Sequence, residues 1–119
     1  VIGIDGDVKN STYSEMLYKT YPNKFINCYI AEQLMVGVAT AVGKSNKIPF
    51  IATFSTFYTR AADQIRMGAV SQENVKYVGT HSGCHIGEDG PSQMALEDLG
   101  FFRNLPHGVV LVPSDGVST

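Results

Sequence analysis

Cysteine, charge and long apolar runs are all scarce in this chain, and each scarcity excludes a class of protein. The two cysteines, Cys28 and Cys84, lie far apart without metal-ligand spacing. That speaks against a zinc module or disulfide framework and for free, buried thiols in a reducing compartment, the cytoplasm. Charged residues are only 17% of 119, with both signs scattered and a net charge of −2, so no basic groove for nucleic acid and no polybasic membrane patch is formed. No apolar run approaches the ~20 residues that span a bilayer. Internal repeats, low-complexity segments, an initiator Met and a signal peptide are also missing. The chain opens inside the apolar run Val1-Ile2-Gly3-Ile4, and Ser114 and Asp115 near its end could cap a helix that does not follow. Residues 1–119 read as one domain, cut at both ends from a longer polypeptide.

Strand and helix signals alternate along the chain. Val1–Ile4 reads as a buried strand ended by Asp5-Gly6-Asp7. Asn10-Ser11-Thr12 offer caps for a helix with Met16, Leu17 and Tyr21 on one face, broken at Pro22. Phe25–Ile30 is a second strand, followed by a helix over Ala31–Val42 with Leu34, Met35, Val38 and Val42 as its apolar stripe and Gly37, Ala39 and Ala41 allowing close packing. Ile48–Thr53 is a third strand, Phe57–Met67 a helix, and Val75–Thr80 a fourth strand. A loop over His81–Ser92 leads, with Ser92 as N-cap, to a helix reaching Arg103, and Val109–Val112 is a last strand. Strands apolar on both faces and separated by helices predict an α/β fold, a parallel sheet with helices on both faces, truncated at its C-terminal end. Ligands of such sheets bind at the carboxyl ends of the strands, where Asp5–Ser11, Ala31–Gln33, Thr53–Arg60 and Thr80–Gln93 would converge.

Several residues there could carry chemistry. Glu32 is either a helix N-terminal acid or a carboxyl in an apolar pocket, where burial would raise its pKa and suit it to proton transfer. Phe54 and Phe57, three apart, could share a face and stack on a flat heterocycle, while Tyr58 reads as core. His81, His85, Asp89 and Gln93 share a loop whose spacing fits no common zinc pattern. Ser11 is a helix cap whose hydroxyl could also meet a phosphate. Gly87-Glu88-Asp89-Gly90-Pro91 is, on local chemistry, an ordinary strand-to-helix connection.

The residue order is more specific. Gly87-Glu88-Asp89-Gly90-Pro91-Ser92-Gln93 resembles the G-E-D-G-P-[ST]-[HQ] loop of the transketolase family, whose helix ends near an arginine, here Arg103. Gly100 departs from the family's Ala, Ser, Thr or Pro, at a helix cost of about 1 kcal/mol relative to Ala. Ile30-Ala31-Glu32-Gln33 resembles its I-x-E-[QH] segment, Thr53–Arg60 its T-F-x-x-F-x-x-R/Y segment, and Asp5–Thr12 the animal-type D-G-D-x-K-N-S-T segment. The resemblance implies the pyrimidine-binding domain of a thiamine diphosphate enzyme that moves two-carbon ketol units between sugar phosphates in the pentose phosphate pathway. It implies that Glu32 hydrogen-bonds the cofactor's aminopyrimidine and activates it. Phe54, Phe57 and Gln93 would bind the cofactor, with Asp7 near its thiazolium. Ser11 would face the substrate phosphate, and His81 and Asp89 the sugar hydroxyls. His85 gains no role.

The G-D-G…N motif that holds the diphosphate through a divalent cation such as magnesium has no counterpart in this sequence. The resemblance therefore implies a separate diphosphate domain, a C-terminal domain, and a homodimer with shared active sites, of which these residues supply half. Alternatives within reach of the same residues are a non-catalytic transketolase-like paralogue and a related enzyme such as deoxyxylulose-phosphate synthase.

Overall fold

Four short apolar runs pair as strands in the computed structural model, which describes residues 1–119. They are β1 (Ile2–Asp5), β2 (Phe25–Asn27), β3 (Pro49–Phe54) and β4 (Lys76–Thr80). All pair in parallel, in the order β2-β1-β3-β4. The helices are α1 (Glu15–Thr20), α2 (Glu32–Lys44), α3 (Ala62–Val70) and α4 (Asp98–Arg103). The chain leaves β1 for β2 on one side and then crosses to β3 on the other. The carboxyl ends of β1 and β3 therefore flank the switch point, where open α/β sheets form their ligand crevice.

Register divides the sheet into two faces. Ile4 pairs with Ile51, and Ile51 with Tyr77, so these three share one face. Ile4 and Ile51 are fully buried there with Met35, Val36 and Ala39 of α2, Tyr58, Ala61 and Ile65. Phe102 of α4 meets Tyr58 edge-on at 5.7 Å. Burying each aliphatic side chain in such a cluster contributes about 1.5–3 kcal/mol. The other face is covered more thinly: Leu17 of α1 lies over Gly3 beside Phe25, while Phe50 and Val78 remain about two-fifths exposed.

Several expected elements take a different form. The second strand stops at Asn27, because Asn27 Oδ1 accepts the Tyr29 N–H at 2.8 Å and Tyr29 turns to φ +55°. Asn10–Thr12 do not cap α1; it starts at Glu15, where Ser14 holds the N-cap position but makes no cap bond. Met16 and Tyr21 are exposed, leaving Leu17 as α1's packing residue. Of the expected α2 stripe, Met35 is core and Val38 and Val42 pack partly buried against it, but Leu34 is exposed and Val36 and Ala39 are the other fully buried members, with Gly37 against open space. Phe57–Ala61 form part of a 3-10 segment, Ser55–Ala61, before α3 begins. The expected loop contains a 3-10 turn, Gly87–Asp89, and the helix expected from Ser92 is replaced by a second, Pro91–Gln93, then an extended stretch, with α4 starting only at Asp98. Pro91 starts the second of these turns, but Ala95 is drawn into bridges with Ser82 and Gly83, which breaks the helical path. Val109–Val112 form no ladder, and Val109, Leu111 and Val112 stay exposed without a neighbouring strand to complete their backbone bonds. Cys28 is buried as expected, but Cys84 is exposed.

Candidate active site at the carboxyl edge of the sheet

Asp5 anchors the crevice. It is fully buried at the end of β1, where an unpaired carboxylate would be costly. Its Oδ1 accepts the Val8 N–H at 2.8 Å, and its Oδ2 accepts the Ser14 hydroxyl at 2.8 Å and the Thr12 hydroxyl at 3.2 Å. These bonds curl residues 6–14 over the sheet edge. Asp7 lies in that loop with φ +70° and accepts from Asn27 Nδ2 at 3.3 Å. Ser11 sits in the same loop, its N–H bonded to the Val8 carbonyl, and not at a helix N-terminus.

Glu32 opens α2 directly above β2's connection. Its side chain is only 6% exposed, and Arg60 Nη1 donates to Oε1 at 2.6 Å. Glu32 is thus the helix N-terminal acid of the first alternative, and the buried setting of the second carries a guanidinium rather than being wholly apolar. Gln33 Nε2 donates to the Arg60 carbonyl at 3.1 Å, fixing the same residue from behind. The Arg60 guanidinium also covers the Phe57 ring, 4.2 Å from its centroid. Phe57 lies parallel to Phe54, 5.3 Å centroid to centroid with 8° between the planes. Phe54 stacks in turn on His81 at 4.0 Å. The result is one continuous layer: Glu32, Arg60, Phe57, Phe54, His81.

This layer joins α2, the segment after β3 and the start of the loop after β4. Three expected site residues, Phe54, Phe57 and His81, are in direct contact, and Glu32 reaches them through Arg60. Arg60 has no marked role in the sequence reading; its place in the aromatic-rich segment was the available signal, but its partner lies 28 positions away. His81 is in the left-handed region at φ +56°, with Nδ1 2.9 Å from the Thr80 hydroxyl. Asp89 is exposed on a 3-10 turn and Gln93 half-buried on the next. His85 is exposed on the same loop. Tyr58 is core: its hydroxyl donates to the Ile51 carbonyl at 2.8 Å, and burial pushes its pKa well up. Burial likewise raises the Cys28 thiol, beneath Asp5.

A carboxylate beside flat apolar faces suits a planar heterocycle that bears both hydrogen-bonding nitrogens and a π face. Arg60, about half exposed, is the layer's outer member. No helix is long and apolar enough to cross a membrane.

The family model described as transketolase, pyrimidine binding domain, matches residues 1–119. Transketolase of Homo sapiens is 56% identical over 120 residues, covering 100% of this chain and 19% of that protein. Transketolase-like protein 2 of Mus musculus is 58% identical over the same span, again 100% and 19%. The crystal structure of Pichia stipitis transketolase in complex with sedoheptulose 7-phosphate superposes with a TM-score of 0.86 at 26% identity, covering 97% of this chain and 19% of that one. The chain therefore spans about a fifth of the length of the curated relatives it matches.

Proposed function

The chain belongs to the transketolase pyrimidine-binding domain family, and from that premise we propose that it forms the pyrimidine-facing half of a thiamine diphosphate site. The whole protein would transfer a two-carbon ketol unit from a ketose phosphate to an aldose phosphate, a step of the pentose phosphate pathway. The observation that carries this reading is the buried Glu32 carboxylate joined through Arg60 to the stacked Phe54 and Phe57. In this reading Glu32 hydrogen-bonds the aminopyrimidine and holds or returns its proton. Phe54 and Phe57 supply the apolar wall, Gln93 a polar contact, and Asp7 lies near the thiazolium end. Ser11 receives the substrate phosphate, and His81 and Asp89 orient the sugar hydroxyls. Arg60 yields its place on Glu32 and Phe57 when the ring enters. Thiamine diphosphate, when bound, supplies the nucleophilic centre that carries the ketol unit.

No group of three or more His, Cys, Asp or Glu side chains comes together in this chain. We assign the divalent cation, magnesium or another, to a diphosphate-binding domain outside these residues, and a C-terminal domain also to the remainder of the protein. A cytoplasmic homodimer with shared active sites completes the proposal. A second reading, a non-catalytic paralogue, draws on the 58% identity to a transketolase-like protein. The test is ketol transfer by the full-length protein with thiamine diphosphate, a divalent cation, a ketose phosphate and an aldose phosphate. Turnover is the expected result. Cofactor binding without turnover would favour the paralogue, and no cofactor binding would remove the reading altogether.

A further inference from the structure

The loop that carries Asp89 and Gln93 has few attachments. Between Cys84 and Met94 the hydrogen bonds outside regular elements are local turns: Gly90 N–H to Gly87, Gln93 N–H to Gly90 and Met94 N–H to Pro91. The loop closes at a neck, where Gly83 N–H donates to the Ala95 carbonyl at 2.9 Å and Ala95 N–H returns a bond at 3.3 Å. Just beyond the neck, Ser55 Oγ donates to Asp98 Oδ2 at 2.6 Å, a charge-assisted bond between two buried side chains. Ser55 is 5% and Asp98 6% exposed. Asp98 Oδ1 is occupied by the Leu99 N–H at 2.8 Å.

A buried carboxylate is a costly anchor where an apolar contact would pack equally well, so its use implies a need for directional attachment. Ser55 follows Phe54 directly in the chain, so the bond joins the neck to the aromatic pair. Gly79 makes room for it. A Cβ there would stand 2.8 Å from Ser55 Oγ and 3.2 Å from Ser55 Cα, displacing the serine.

We infer that Asp98 and Ser55 are positioning residues, whose buried bond ties the base of the loop bearing Asp89 and Gln93 to the segment that carries the Phe54–Phe57 pair. The inference rests on the functional reading above. It is tested in the full-length protein with D98A, D98N and S55A. D98A raises KM for both sugar phosphates by about tenfold, the size of one net hydrogen bond. It lowers thiamine diphosphate affinity less than sugar affinity, because of the cofactor contacts only Gln93 lies on the loop, while Glu32, Phe54 and Phe57 do not. D98N keeps an oxygen for Ser55 and restores most of the loss. Amide exchange of residues 84–94 quickens in D98A while β1 to β3 are unchanged. Unaltered KM and exchange would overturn the inference. So would an equal loss of cofactor and sugar affinity, which marks general loosening. If D98A does not fold, S55A gives the same reading from the other partner. A wild type without ketol transfer would remove the functional reading, yet exchange confined to 84–94 would still uphold the tether.

Discussion

At the scale of single residues, Tyr58 and Tyr77 show how burial of polar groups becomes a measurable property. Burial raises both phenols, and the Glu73 carboxylate beside Tyr77 raises that one further. In each case the folded state holds the proton longer than the unfolded chain does. The stabilisation is whole below the ordinary tyrosine pKa of about 10 and is lost as pH climbs from there toward the folded value. Thermal melting of the full-length protein should therefore drop steeply above that pH, and Tyr77→Phe should flatten the drop. An unchanged alkaline profile in the variant would show that Tyr77 is not the titrating group. Glu32 and Phe54 stand out in the sequence because their neighbours form recognisable segments. Arg60 ends one of those segments, but its role is not legible there because it is set by a partner on another element. Asp98 and Ser55 escaped for the same reason, being 43 positions apart.

At the scale of elements, the four strands and α2 were legible because buried parallel strands and an amphipathic helix leave strong periodic signals. The segments that misled were short. Ser92 looks like an N-cap, yet the helix waits until Asp98, because Ala95 is held against Gly83. Local cap chemistry lost there to a tertiary contact. A similar dependence on tertiary fit appears where α2, α3 and β4 meet. Glu73 accepts from the Thr40 hydroxyl at 2.5 Å and from the Tyr77 hydroxyl, while its carboxyl lies against Gly68 of α3. A methyl group at Gly68 would overlap that carboxyl. Gly68→Ala improves helix propensity but should destabilise the protein by about 1–3 kcal/mol through overpacking. Denaturant unfolding checks it, and a stabilised variant would mean that Glu73 can turn aside freely.

At the scale of the whole molecule, the sheet is well packed on the face of α2, α3 and α4 and thinly covered on the other. Phe50, Val78, Val109, Leu111 and Val112 are all substantially exposed. Apolar exposure of this kind usually marks contact with other protein, in keeping with a chain that spans about a fifth of its relatives' length. The layer from Glu32 to His81 lies at the open edge of the same sheet, an arrangement that agrees with a site completed by further residues. Whether Glu32 acts there as proposed is best measured by ketol transfer in the full-length protein, wild type against Glu32→Gln, with thiamine diphosphate binding followed in parallel. The account predicts that the variant still folds and binds cofactor but loses turnover by about 10²-fold or more, the usual contribution of a positioned proton-transfer group. Undiminished turnover in Glu32→Gln would contradict it.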